Sequence, residues 1–264
     1  MKNNIKGEKN MRTISIINLK GGVAKTTSSI NIAYILAEKG YKVLLLDNDA
    51  QGDCSRGLNR RTAEGDGMNR IMLDRKPDMD ELILETDYPN LDIITSNLKL
   101  SDVRDEVLQD RIRPQQTRIR KALRLVADRY DFCVIDNEPK IDMEAINAMA
   151  AADDILLPIE IDDNTLEGMK IVMERIEEVQ EEHNPDLENV KCFITKFQRG
   201  NEAHKQGAVI VEKRYPTMKT RIRFSPVVAR STFMRIPVTS YSPNSAAARD
   251  YKRLVDEYLR MIGE

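Results

Sequence analysis

The apolar run Ile14-Ser15-Ile16-Ile17 passes directly into Asn18-Leu19-Lys20-Gly21-Gly22-Val23-Ala24-Lys25-Thr26-Thr27 and then into Ser28-Ser29-Ile30-Asn31-Ile32-Ala33-Tyr34-Ile35-Leu36-Ala37. A strand, a glycine turn and a helix that opens on hydroxyl residues follow one another without a break. That succession is the setting a phosphate-binding loop needs. Gly21 and Gly22 let the backbone come close to an anion, and the helix start offers free N–H groups and the positive end of its dipole. Lys25 can reach β and γ phosphates, and the Thr26 hydroxyl can ligate Mg²⁺. Lys20 precedes the loop and has no duty in an ordinary phosphate loop.

The remaining chain alternates strand and helix. Short apolar runs at 41–46, Leu91–Thr95, Phe132–Ile135, Ile155–Ile159 and Val190–Thr195 read as strands, the nearly continuous ones as buried on both faces. Helices are expected at about 98–110, 114–129 (Pro114 starting the second), 164–182, 202–214 and 245–262, with 219–242 irregular or short-stranded. This order predicts an α/β fold of the P-loop NTPase type: a mostly parallel, doubly wound sheet with helices on both faces. Ligands of such sheets bind at the carboxyl ends of strands. The phosphate loop, Asp47 to Asp49 and Asp136 all belong on that edge. Asp136 ends an apolar strand, as a metal-holding Walker B carboxylate does, and Asp49 stands where a carboxylate could orient water.

Composition narrows the class. The chain has 264 residues, 41% of them apolar, enough for one large α/β domain. Residues 1–11 read as a flexible tail and 12–264 as a single domain. Cys54, Cys133 and Cys192 are scattered, without metal spacing, which fits a reducing cytoplasm rather than a disulfide framework. No apolar run approaches the roughly 18–20 residues of a membrane span.

The strict pattern G-x-x-x-x-G-K-[ST] fails, because Leu19 and Ala24 occupy its glycine positions. Alanine at 24 is tolerated if φ is negative, since only positive φ penalises a Cβ. The segment Lys-Gly-Gly-x-x-Lys-Thr-Thr resembles the deviant Walker A motif of the ParA/MinD class of ATPases, and the resemblance spans roughly residues 12–262. Asp47-Asn48-Asp49-Ala50-Gln51-Gly52 is similar to that family's Asp-x-Asp-Pro-Gln-Gly, and Asp136-Asn137-Glu138-Pro139 to its Asp-x-Pro-Pro, with glutamate replacing one proline.

The resemblance implies ATP and Mg²⁺ as cofactors. Lys20, Gly21, Gly22, Val23, Ala24, Lys25, Thr26 and Thr27 would contact ATP, and Thr26, Asp47 and Asp136 would hold the metal. Lys20, Lys25 and Asp49 would be catalytic, with Asp49 activating water and Lys20 reaching the nucleotide of a second subunit, so that ATP assembles a homodimer and hydrolysis dissolves it. It further implies a stimulating ParB-like centromere-binding partner and a nucleoid-associated cytoplasmic location. A MinD-like membrane-cycling ATPase is the alternative, but the last helix mixes Lys252, Arg253 and Arg260 with Asp250, Asp256 and Glu257, so it reads as a core helix and no membrane is expected.

Charge placement adds a partner. From Lys205 to Ala248 there are eight basic residues and one acid, Glu212, in a chain of net charge −2. A second run, Arg111, Arg113, Arg118, Arg120, Lys121, Arg124 and Arg129, faces only Asp128. Such asymmetry suggests a polyanion, and the scarcity of interleaved aromatics favours duplex backbone over stacked single strands. The family binds DNA without sequence preference through its C-terminal third. Carried over, Lys219, Arg221, Arg223, Arg230 and Arg235 are the expected contacts with non-specific double-stranded DNA.

Overall fold

The computed structural model describes residues 11–163 and 165–264. Its seven strands are β1 (Arg12–Ile16), β2 (Val43–Asn48), β3 (Ile83–Glu85), β4 (Leu91–Ile94), β5 (Phe132–Asn137), β6 (Asp154–Glu160) and β7 (Asn189–Thr195). They form one sheet in the order β3-β4-β2-β5-β1-β6-β7, parallel except for the antiparallel edge strand β3. β2 and β5 are buried along their whole length, which is why they read as unbroken apolar runs. The predicted fold class therefore holds.

The register sets the site. Asp47 of β2 pairs with Asp136 of β5, and Ile16 at the end of β1 pairs with Asp136 from the other side. β1 pairs with β6 only as far as Leu156, and the chain then leaves as the loop. Pro158 lies two residues further along β6, past the end of the β1 ladder though still in register with Phe193 of β7, so no β1 acceptor is left wanting its N–H and a proline is tolerated in an inner strand. Its carbonyl accepts the Asn18 side-chain amide at 2.8 Å, fastening the loop entry.

Thirteen helices cover the two faces among the described residues. α1 (Lys25–Glu38) and α13 (Ala246–Ile262) close one core, in which Ile14, Leu45 and Val134 meet Leu36, Tyr251, Leu254 and Tyr258. On the other face Leu44, Leu46 and Ile135 pack with α3 (Met68–Leu73), α7 (Arg118–Leu123) and α8 (Met143–Ala151). A third cluster joins β6 and β7 to α9 (Thr165–Glu182) and α10 (Glu202–Arg214). The remaining helices are short: α2 (Asp53–Gly57), α4 (Met79–Leu82), α5 (Lys99–Asp102), α6 (Arg104–Gln109), α11 (Pro226–Phe233) and α12 (Val238–Tyr241).

Several boundaries depart from expectation. Residues 98–110 form two helices rather than one. Pro114 starts nothing: the Asp110 carboxylate takes the N–H groups of Ile112 and Arg113, turning the chain, and α7 begins only at Arg118, whose N–H is received by Asn147 of α8 at 2.7 Å. The stretch 219–242 contains α11, with proline at its first turn where the missing N–H costs nothing, and α12. Of the expected tail, residues 1–10 lie outside the described residues, while Met11 is buried in the core and belongs to the folded domain.

Candidate nucleotide site

The loop after β1 is held by a bond within itself and by one from the end of β7. Asn18 receives the Lys20 N–H at 3.0 Å, and Thr195 at the end of β7 donates its hydroxyl to the Val23 carbonyl at 3.0 Å. Gly21 and Gly22 lie at the surface with open space where a Cβ would stand, and Gly22 has φ +78°. Ala24 has φ +71° and ψ +33° and starts the helix, its carbonyl receiving the Ser28 N–H. The negative φ that would make alanine harmless here is not adopted. The turn into α1 demands the left-handed region, and the methyl group costs on the order of 1 kcal/mol.

Lys25 is buried and arches back so that its ammonium donates to the Lys20 carbonyl at 3.1 Å. Burial lowers its pKa, and the charges of Asp136, Asp49 and Glu138 oppose that. Lys20 is partly exposed and ion-paired with Asp162, beyond the end of β6. The two lysines thus stand on opposite sides of Gly21-Gly22 with different surroundings.

The strand-end acids converge on α1. Asp136 is fully buried and accepts hydrogen bonds from Ser29 (2.8 Å) and the Cys54 thiol (3.4 Å), with the Thr26 hydroxyl close by. Burial still pushes it up to about 6. Asp47, also fully buried, accepts the Ser55 N–H at 2.7 Å and hydroxyl at 2.6 Å on one oxygen. Its other oxygen has no partner, and burial together with the Asp136 charge pushes it up to about 8. Two adjacent buried acids, one with an orphaned oxygen, beside a threonine hydroxyl make a donor set that fits a hard divalent cation. Asp49 is buried at the mouth, accepts the Gln51 N–H at 2.8 Å and is raised by burial. Gly52, at φ +65°, closes that turn so tightly that a Cβ would meet the Ser96 carbonyl oxygen at 2.6 Å.

Ser29, Cys54 and Ser55 were missed by sequence reasoning, although Ser29 lies one helical turn beyond Lys25 and shares its face. Asp162, the partner of Lys20, carries no local signal either. A cavity of about 470 Å³ opens beside the loop between Thr26, Thr27 and Asn31 of α1, Arg56 of α2 and the segment Ser231–Pro237.

The expected polyanion contacts divide. Lys219, Arg230 and Arg235 are exposed. Arg221 pairs with Glu212 at 2.6 Å and stacks on Phe197. Arg223 is bound by both oxygens of Asp250, at 2.6 and 2.7 Å. In the second basic run Arg113 and Arg118 share Asp110, Arg120 donates to the His183 carbonyl and Arg129 pairs with Asp80. Most of that run serves the fold rather than a free basic face.

A family model described as an AAA domain matches residues 11–189. The chromosome partitioning protein ParA of Caulobacter vibrioides is 33% identical over 257 residues, covering 94% of this chain and 94% of its own length. The chain belongs to the ParA family of ATPases. The cell division protein PomZ of Myxococcus xanthus is 32% identical over 248 residues, 92% of this chain and 76% of PomZ. Among solved structures, cobyrinic acid a,c-diamide synthase of Mycobacterium smegmatis superposes with a TM-score of 0.83 at 23% identity, covering 96% of this chain and 95% of that one. The cell division ATPase MinD of Pyrococcus furiosus gives 0.76 at 20% identity, covering 95% and 99%. These two share their fold with this chain.

Proposed function

We propose that this ParA-family ATPase partitions DNA. It binds ATP with Mg²⁺, pairs face to face with a second copy, coats duplex DNA without sequence preference, and lets go when hydrolysis is stimulated by a ParB-like protein. The observation that carries the ATPase part is the convergence of Lys25, Asp47, Asp49 and Asp136 at the loop after β1. The full-length likeness to ParA and the exposed cations Lys219, Arg230 and Arg235 support the DNA part. The M. smegmatis synthase structure holds ADP and magnesium, in keeping with those cofactors.

Thr26, Asp136 and Asp47 would hold Mg²⁺, which when bound supplies positive charge against the phosphates. Lys25 neutralises charge on the β and γ phosphates from its buried position at the start of α1, exchanging the Lys20 carbonyl for phosphate oxygens. Asp49 orients the attacking water. Lys20 leaves Asp162 and reaches the partner's nucleotide, so that each site is complete only in the dimer. The cavity beside Thr27 and Asn31 receives the nucleoside, being within the usual size range of ligand pockets.

The membrane alternative lacks support. Tyr251, Leu254, Val255, Tyr258 and Leu259 of α13 are all buried in the core, so that helix has no free apolar face for lipid. Among the described residues no helix is long and apolar enough to cross a membrane. The proposed location is the nucleoid within the cytoplasm.

The deciding experiment is binding to a random-sequence duplex with ATP, with ADP and without nucleotide, at two salt concentrations. Binding that needs ATP and weakens with salt is expected. Binding independent of nucleotide, or none at all, would overturn the partition reading.

A further inference from the structure

Glu138 stands where the Asp-x-Pro-Pro segment that Asp136–Pro139 resembles carries proline. Glu138 follows the end of β5 and is buried. Its charge acts on both Lys25 and Asp49. The chain therefore adds a carboxylate to a site that already holds Asp47, Asp49 and Asp136 and must accept a triphosphate. Left alone, that charge would oppose nucleotide binding.

It is not left alone. Arg104 of α6 donates Nη2 to Glu138 Oε1 at 2.8 Å, and the same nitrogen lies 2.6 Å from Asp142 Oδ2. Its Nε donates to both oxygens of Glu144 at 3.1 and 3.2 Å. Lys140 takes the second Glu138 oxygen at 3.2 Å, but it is well exposed and gives charge without direction. Arg104 is the rigid member: its planar fork draws Glu138 toward α6 and the N-terminus of α8. The anchorage runs deep. Glu144 is 1% exposed, and its carbonyl accepts the Asn48 side-chain amide at 3.0 Å, which also donates to Asn137 Oδ1 at 2.8 Å. One arginine is thereby joined to the ends of β2 and β5, the strands that carry the site acids.

We propose that Arg104 is a positioning residue of the ATPase site: it neutralises Glu138 and holds it against α8, so that a switch carrying glutamate for proline still admits the γ phosphate. This rests on the ATPase reading. The pair then acts as a unit, in which Arg104 matters because Glu138 is charged.

The test compares wild type with Arg104→Ala, Arg104→Lys, Glu138→Gln and the double variant Arg104→Ala/Glu138→Gln. Kd for a fluorescent ATP analogue and an ADP analogue, KM and kcat for ATP, and melting temperature are measured for each. Arg104→Ala is expected to weaken ATP about tenfold, the effect of one uncompensated charge across a half-buried site, and ADP by less. Adding Glu138→Gln should bring ATP affinity back to within about twofold of wild type. Arg104→Lys, which keeps charge but loses the fork, should weaken ATP by about threefold and covers the case in which the alanine variant does not fold. A purely structural arginine would lower the melting temperature of the single and double variants alike and leave the nucleotide affinity of folded protein unchanged. Unchanged affinity in both Arg104 variants, or a double variant no better than Arg104→Ala, would overturn the proposal. Wild type that fails to bind ATP would instead sink the ATPase reading itself.

Discussion

The Lys25 ammonium donates to the backbone carbonyl of Lys20 at 3.1 Å, so the lysine proposed to bind phosphate is tied to the main chain of the lysine proposed to act in trans. In the proposed site the nucleotide takes the place of this bond, and the two side chains then do different work. Lys25→Ala should abolish the rise in melting temperature that ATP and Mg²⁺ cause. Lys20→Ala should retain a nucleotide-dependent shift but lose ATP-dependent dimerisation. Asp49→Ala should bind ATP and dimerise, with hydrolysis down about 100-fold or more. Sedimentation with ATP, alongside phosphate release, separates the three. A normal ATP dimer of Lys20→Ala would refute the trans role.

Ala24 bears a methyl group in the left-handed region, at φ +71°. Ala24→Gly should relieve up to about 1 kcal/mol, partly offset by the greater freedom of glycine in the unfolded chain. The expected gain is about 2–4 °C in melting temperature at most. Calorimetry reads it, and a lower melting temperature would show that the strain is absent.

Arg223 and Arg230 should behave as opposites. Asp250 is 3% exposed, and removing Arg223 leaves its charge buried without its main partner. Arg223→Ala should cost on the order of 3 kcal/mol in denaturant unfolding. Arg230→Ala, Lys219→Ala and Arg235→Ala should leave stability unchanged, and each should reduce the log–log salt slope of duplex binding by about 1. If Arg223→Ala melts like wild type and abolishes DNA binding, the division drawn between them is wrong.

Alkaline pH should destabilise the protein through groups that burial keeps protonated. Burial pushes Cys192 up to about 12 and Tyr251 up to about 12. Their ordinary values are 9.0 and 10.0, so the unfolded chain releases these protons first. The stability they contribute is intact below pH 9 and is lost as pH rises through the folded values near 12. Melting temperature should fall from pH 9 upward, and thiol reagents at pH 8 should label the cysteines only after denaturant is added. Rapid labelling of native protein would contradict their burial.

The loop and the inner strands were legible because each is decided by neighbours in sequence: glycines before a lysine, and apolar runs buried on both faces. Asp136 was legible for the same reason, since it ends such a run. α7 was not, because Asn147, which receives its first N–H, lies 29 residues further on. Nor could composition separate Arg223 from Arg230, since only the fold brings Asp250 beside one of them. The left-handed Ala24 shows the reverse conflict, where the geometry of the turn overrules the residue's own preference.

Pro158 has a consequence for precision. Moving β6 along its neighbour by one residue would turn every buried side chain to the opposite face, and moving it by two toward the paired region would set the proline ring against a β1 acceptor that needs an N–H. The proline therefore acts as a key cut for one register. Because Asn18 hangs from its carbonyl, the same key sets the height at which the loop leaves the sheet.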